Sequence, residues 1–420
     1  MLQTLKSAWK LEDLRKRIIF TLLMFLVFRL GAHIPVPGVD AELLKKLLGT
    51  GTIFGFFDVI SGGAFKRFTV FAMGIMPYIN ASIIMQLLTV AIPSLERLAK
   101  EGLDGRKKII QYTRYGTVIL SMIQATGMSV LLGRQGAYIN PGVLNHVVTV
   151  ISLTAGTVFL MWMGELITER GIGNGISLLI FAGIVSRLPA GAVTLYQYIT
   201  GGTTNIFSAF LFGVIAVGVI AAVVAMQEGQ RRIPVQYTKR VVGRRVYGGQ
   251  STHIPLRVNQ AGVIPVIFAM SILLFPQTLA SWFPQNRVAQ TIVHLFDPRS
   301  ALYMVLYALL IIFFTYFYTA VTFNPQEVAE NIKKYGGFIP GLRPGRPTAE
   351  YIERILARVT LAGAIFLAFI ALLPNLMMAI TGINLYFGGT SLLIVVGVAL
   401  ETMKQLEAQL LLRHYQGFLK

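Results

Sequence analysis

The 420-residue chain contains no cysteine, which excludes disulfides, thiol nucleophiles and cysteine-ligated metal. Acids are scarce as well, 18 Asp and Glu against 37 Lys and Arg, for a formal charge of +19. Charged residues of both signs make up only 13% of the chain, while 55% is hydrophobic. A soluble domain so poor in charge would lack the polar surface that keeps it in solution. Catalytic signatures are missing too. No HExxH, GxSxG or GxxxxGK[ST] pattern occurs, and the five histidines are scattered over connectors and span ends. The run Gly171-Ile172-Gly173-Asn174-Gly175 opens an apolar stretch and reads as a tight turn rather than a phosphate cradle. No catalytic, metal, cofactor or nucleotide site is expected. Energy for any work must then come from a partner or an ion gradient.

What the chain does have is ten predominantly apolar stretches of about 20 residues separated by short charged connectors. About 20 apolar residues, rising 1.5 Å each, cross the roughly 30 Å hydrocarbon core of a bilayer. The expected spans are 18–34, 69–91, 110–132, 147–167, 175–196, 206–226, 261–283, 301–323, 355–378 and 384–403. The fold class is therefore an all-α polytopic membrane protein with ten transmembrane helices. The first span follows a basic N-region but lacks a small-residue cleavage site, so it reads as a retained helix. With the N-terminus in the cytoplasm, the cytoplasmic segments hold 26 Lys and Arg and the outer ones 7. The positive-inside rule then puts both termini in the cytoplasm. Ten spans divide into halves of five, 1–187 and 206–420, joined by the uncharged connector 188–205. An odd number per half would insert the second half upside down, the arrangement that places a working site between inverted repeats.

Ionisable groups avoid the spans. Glu165 and Glu401 lie near cytoplasmic ends, Asp58 lies in an outer connector, and Arg29, Arg114, Arg187 and Arg358 sit near span ends, where long side chains snorkel. An ion-coupled transporter keeps such groups at mid-membrane, so their absence weakens that reading. The segment 53–66 is apolar but too short to cross. It suits either an interfacial helix or a re-entrant piece lining a cavity. The connector 227–258 carries seven basic residues against Glu228 and has the alternation of a short β-hairpin. Connector 324–354 displays Arg343 from a rigid Phe338–Gly345 core. Both suit docking to an acidic partner or to RNA phosphates.

Several idiosyncratic runs carry a resemblance: FAMGIMPYI over Phe71–Ile79, QYTRYGT over Gln111–Thr117, ITERGIGNGIS over Ile167–Ser177 and QSTH over Gln250–His253. NQAGVIP over Asn259–Pro265, GLRPG over Gly341–Gly345 and YFGGTSLLI over Tyr386–Ile394 complete the set. In these runs the chain resembles the SecY family, the central subunits of the bacterial Sec protein-conducting channel. The resemblance implies two inverted five-helix halves around a central pore, closed by a ring at Ile75, Ile79, Ile176, Ile180, Ile267 and Ile394. It implies a plug at about 53–66, including Phe57, Ser61, Gly62 and Gly63. A lateral gate is implied where spans 69–91 and 110–132 face 261–283 and 301–323, with Gln86, Gln124 and Asn259 as polar contacts. Arg244, Arg245 and Arg343 would dock the SecA motor ATPase or the ribosome. Further implied partners are SecE-like and SecG-like small membrane subunits, secretory preproteins with their signal sequences, and membrane lipid. The implied location is the bacterial cytoplasmic membrane. From the residues alone, a secondary transporter with a midplane solute site stays the alternative.

Overall fold

The computed structural model describes residues 2–40, 58, 61–201, 206–237, 240–242, 245–247, 251–283, 286–297, 300–381 and 389–417. Helices α1 (Leu2–Lys10) and α2 (Glu12–Gly31) open the chain. Glu12 and Asp13 occupy the first turn of α2, where carboxylates complement the helix dipole. The next expected span, 69–91, is helical only as α3 (Met76–Ala91). Turns occupy 61–75, Gly74 has φ 58°, and Pro77 starts the helix at a position where its missing N–H costs nothing. Pro93 then begins α4 (Pro93–Lys100) at an angle of 101° to α3.

Helices α5 (Leu103–Arg134), α6 (Val143–Arg170) and α7 (Gly175–Thr200) complete the first half. The glycine run between α6 and α7 is a turn, as expected. Asn174 caps α7 by accepting from the Ile176 and Ser177 N–H groups at 3.1 and 3.2 Å. Much of the expected 188–205 connector is helical, because α7 continues through Pro189 to Thr200. In the second half, α8 (Ile206–Glu228), α9 (Ile264–Ser281), α11 (Ala301–Thr322), α13 (Arg346–Thr381) and α14 (Gly389–Gly417) fall on expected spans. Two short helices, α10 (Arg287–Leu295) and α12 (Pro325–Lys334), flank α11.

By length and apolarity alone six of the described helices could cross a membrane, or seven if the bent pair α3–α4 is one span. The lipid-facing character of others shows in what they expose. Leu22, Leu23, Leu26 and Leu30 on α2 are each more than half exposed, a stripe that only a hydrocarbon solvent leaves without penalty.

The halves pack alike. In the first, α3 meets α5, α5 meets α6, α6 meets α7, α2 touches α6 and α7, and α3 touches α6. In the second, α9 meets α11, α11 meets α13, α13 meets α14, α8 touches α13 and α14, and α9 touches α13. Matching helices in order (α2 with α8, α3 with α9, α5 with α11, α6 with α13, α7 with α14) reproduces the same neighbours. The halves join along two seams: α3 and α5 against α9, and α7 against α8 and α14. Helix α1 packs on α14 through Ala8, Leu14, Ile172 and Leu406, so both chain ends share one face.

On that face the two long connectors build one body. Strand β1 (Gln230–Tyr237) pairs antiparallel with β4 (Ser251–Arg257) from Gln230↔Arg257 to Gln236↔Ser251. Between them lies the small hairpin of β2 (Arg240–Val242) and β3 (Arg245–Tyr247). The other edge of β1 takes β5 (Gly337–Phe338), with Gln236 opposite Phe338. Ile233, Val235 and Leu256 bury against Ile332, Ile339, Ile352 and Leu356 beneath the sheet. The expected hairpin is thus one part of a sheet that the second connector completes.

Close backbone approach makes the first half intolerant of added bulk. A Cβ at Gly156 of α6 would lie 1.9 Å from the Val70 carbonyl oxygen. Gly156→Val is expected to destabilise the fold by about 1–3 kcal/mol, read as a lower thermal unfolding midpoint in detergent. An unchanged midpoint would contradict this packing.

Candidate functional site

The six isoleucines all belong to, or pack against, one large hydrophobic cluster. Ile75 and Ile79 stand at the start of α3, where the Ile79 N–H donates to the Ile75 carbonyl at 3.1 Å. Ile176 and Ile180 lie on α7 one turn apart, so each i, i+4 pair shares a helix face. Ile267 comes from α9 and Ile394 from α14. Ile75, Ile79, Ile180 and Ile394 are buried in the main hydrophobic cluster, and Ile176 and Ile267 pack against it half-buried. Ile176 leans toward α6, with its Cδ1 2.4 Å from where a Gly164 Cβ would stand. Both halves therefore contribute branched hydrocarbon to this cluster, the candidate constriction.

The segment before α3 lies directly against α7. Gly62 and Gly63 take φ of 67° and 87°, a left-handed pair that glycine adopts without steric cost. A Cβ on Gly62 would lie 3.3 Å from the Gly183 Cα and 3.0 Å from the Ser186 Oγ. Gly183 is three residues beyond Ile180, so this backbone contact sits one helical turn from the constriction. Ser61 is buried and its Oγ donates to the Asp58 carbonyl at 3.3 Å while accepting the Phe65 N–H at 3.2 Å. Phe57 lies outside the described residues.

Around these turns the structure departs from the snorkelling expected of Arg29 and Arg187. Asp58 is 1% exposed and ion-paired with Arg187. Its other oxygen accepts the Lys66 N–H at 2.9 Å. Arg29 donates to the Gly62 carbonyl at 3.0 Å and to Ser186 Oγ at 3.3 Å. Arg67 completes the group, its pKa lowered by burial and by the neighbouring Arg29 and Arg187. Both span arginines turn inward because a buried carboxylate and a buried carbonyl need partners more than a guanidinium needs water. Arg114 likewise pairs across helices, with Glu165 of α6 at 2.8 Å.

The expected gate residues lie on α3, on α5 and just before α9. Gln86 on α3 and Gln124 on α5 are half-buried. Asn259 is buried before α9, and its Nδ2 donates to the nearby Gly262 carbonyl at 3.0 Å, closing its own turn. It lines a cavity of about 350 Å³ with Gln227, Glu401 and Lys404 on the face of the chain termini. On the same face Arg343 is exposed, its carbonyl held by Thr348 Oγ1 at 2.9 Å. Arg245 belongs to β3, and Arg244 lies outside the described residues.

The family model of SecY matches residues 69–403. The protein translocase subunit SecY of Escherichia coli (strain K12) is 50% identical over 98% of this chain and 95% of its own. That of Halalkalibacterium halodurans is 49% identical over the full length of both. The chain belongs to the SecY family. Among solved structures, a protein-conducting channel superposes with a TM-score of 0.66 at 19% identity, covering 94% of this chain and 92% of that one. Sec61 in the canine ribosome-channel complex of the endoplasmic reticulum gives 0.64 at 19% identity, over 94% and 92%. A SecY protein described for a plug domain that stabilises the closed state of the channel gives 0.66 at 20% identity, over 94% and 92%. The chain has the ten-helix SecY fold, two inverted halves about a central pore.

In this SecY-family chain the inward-turned arginines were the residues hardest to read from sequence. Their signal was present, since an ionisable group inside a span is functional by default. What the sequence withheld was the partner, Asp58, 129 residues from Arg187. Removing one member of a buried ion pair costs about 3–5 kcal/mol, because the other is left uncompensated. Asp58→Ala is therefore expected to lower stability more than the double variant Asp58→Ala/Arg187→Ala does. Thermal unfolding of the purified protein checks this; purely additive losses would mean the pair is not coupled.

Proposed function

We infer that this chain is the pore subunit of a bacterial protein-conducting channel, passing unfolded secretory chains across the membrane and releasing membrane segments sideways into lipid. The observation that supports this reading is that six isoleucines from the start of α3 and from α7, α9 and α14 share one hydrophobic cluster, with the Gly62 turn packed on α7 at Gly183 and Ser186; we read these as ring and plug. A ring of branched apolar side chains parts around an extended peptide and, when shut, excludes water and ions by dewetting. The glycine turn with its Asp58–Arg187 anchor acts as the plug. The relative described for a plug domain that maintains a membrane seal supports that role.

The seam of α3 and α5 against α9 is the lateral gate. Of its expected polar contacts, Gln86 and Gln124 lie on its helices, while the Asn259 amide closes its own turn before α9. A buried polar contact in a membrane contributes only about 0.6–2 kcal/mol. A signal helix entering there gains about 0.3–0.6 kcal/mol per central leucine or isoleucine. Ten such residues outweigh one or two such contacts, so a hydrophobic signal opens the gate and a polar segment does not.

The basic face with both termini is cytoplasmic, and the membrane is the bacterial cytoplasmic membrane. The body built from β1, β4 and β5 exposes Arg343, which together with Arg244 and Arg245 forms the proposed docking surface. It docks the SecA motor or the translating ribosome, which supplies the driving energy. The resemblance of the fold to ribosome-bound channels supports the second partner. SecE-like and SecG-like small subunits complete the working unit.

Since the chain has no cysteine, an introduced thiol is unique. With Ile79→Cys, a stalled precursor carrying one cysteine is expected to form a disulfide, and only when its signal sequence is functional. Phe210→Cys on the lipid-facing side of α8 is expected to form none. A folded Ile79→Cys channel with its partners present and no crosslink would refute the pore path. Arg343→Glu is expected to abolish motor-driven export while leaving the protein folded; unchanged export would remove the docking role.

A further inference from the structure

At the end of the gate farthest from the chain termini, a second set of contacts joins the halves, and the pore reading does not use it. Arg134, in the last turn of α5, donates from Nη1 to the Trp282 carbonyl at 3.1 Å. Trp282 is the C-cap of α9, so this carbonyl belongs to the helix end that lacks internal donors. The guanidinium thus caps a helix of the opposite half, where a cation also meets the negative end of the α9 dipole. The same group lies over the Phe283 ring, 5.9 Å from its centroid, within cation–π range.

Two turns earlier on α5, Gly127 faces the same partner. A Cβ there would stand 2.2 Å from the Trp282 Cδ2 and Cε2 atoms, so the indole lies flat on bare backbone. Gly127 and Arg134 are seven residues apart and share one helix face. Trp282 is buried, and its indole N–H finds no acceptor among the described residues. The indole is therefore held there by packing rather than by a hydrogen bond of its own. Each half supplies one side of the contact: a notch and a cation from α5, a wedge and a carbonyl from α9.

We propose that Arg134, Gly127 and Trp282 form a clamp across the lateral gate that sets how hydrophobic a signal sequence must be to open it. The proposal rests on the gate reading above. A helix entering between α5 and α9 must lift the indole from Gly127 and part the guanidinium from the carbonyl. Both losses are subtracted from what the signal gains in lipid. Loosening the clamp lowers that threshold, and it does so selectively: signals already well above it gain nothing.

The test uses the chain reconstituted with its small subunits and motor, and two precursors, one with a normal signal and one with a shortened apolar core. In Arg134→Gln, translocation of the weak-signal precursor is expected to rise about three- to tenfold, the scale of one lost hydrogen bond of ordinary strength. Translocation of the normal precursor should change less than about twofold. Gly127→Ser, which displaces the indole from the other helix, should act in the same direction. Phe283→Leu removes only the ring beneath the guanidinium and serves if either of the others fails to fold; it predicts a smaller rise of the same sign. A unique thiol at Gln124→Cys, crosslinked to the signal sequence, reports the gate independently. Unchanged weak-signal export with that crosslink intact would overturn the clamp and leave the gate standing. Absence of the crosslink would overturn both. Equal gains for the two precursors would mean general loosening, which also overturns the proposal.

Discussion

The proposed waist rests on branched hydrocarbon that both halves bring to one cluster, and the rest of the proposed architecture follows from that choice. Each carbon pair at contact distance contributes only about 0.1–0.2 kcal/mol. The sum over six isoleucines seals well yet leaves no single strong bond to break. A polar ring would hold water and conduct when closed. A continuous packed core, fused across both halves, would never open. The first half provides Ile75, Ile79, Ile176 and Ile180, and the second provides Ile267 and Ile394. The proposed ring is thus shared between halves, and in this proposal relative motion of the halves sets its width.

Polar bonding is displaced from this waist to places where it does different work. One turn away, Arg29 of α2 and Arg187 of α7 hold the Gly62 turn and Asp58. Both arginines belong to the first half. The proposed plug is therefore anchored within the first half, and in this proposal parting the halves does not by itself break the anchorage. Its release is a separate event that must overcome a buried ion pair, so the two barriers to leakage are independent. On the basic face, the sheet order β4-β1-β5 ties connectors more than a hundred residues apart. A force applied to either connector is carried by both, and through β1 and β4 directly into α8 and α9. Helix α9 also contributes Ile267 to the waist and meets α3 and α5, so docking, waist and gate share one helix.

Much of this was legible in the sequence, for identifiable reasons. Hydropathy fixes where the chain crosses a bilayer, because backbone polar groups in lipid tolerate little besides helix. Ten described helices lie on the ten expected spans, and the i, i+4 isoleucine pairs share faces as their spacing required. Length was less legible. Span 69–91 loses its first turns to the irregular stretch around Gly74, and α7 absorbs most of a stretch read as connector. Arg29 and Arg187 were misread because snorkelling is the default for a long cation near a span end. Only the fold brings Asp58 and the Gly62 carbonyl within reach. Asn259 was expected at the gate from resemblance, yet its amide serves its own turn. The joining of the two connectors by β5 depends on two residues, Gly337 and Phe338, too short a strand to leave a periodic signal.

The central claim is that apolar character at the waist is what keeps the resting channel ion-tight. Conductance of the purified chain with its small subunits in a planar bilayer tests it most directly, comparing the native protein with Ile180→Ser/Ile394→Ser. Those two substitutions keep the ring closed to a bulky solute but let water wet it. The account predicts a silent native channel and a steady ion current through the polar-ring variant without any precursor present. A polar-ring variant as tight as the native protein, correctly folded and inserted, would contradict the account and put the seal elsewhere.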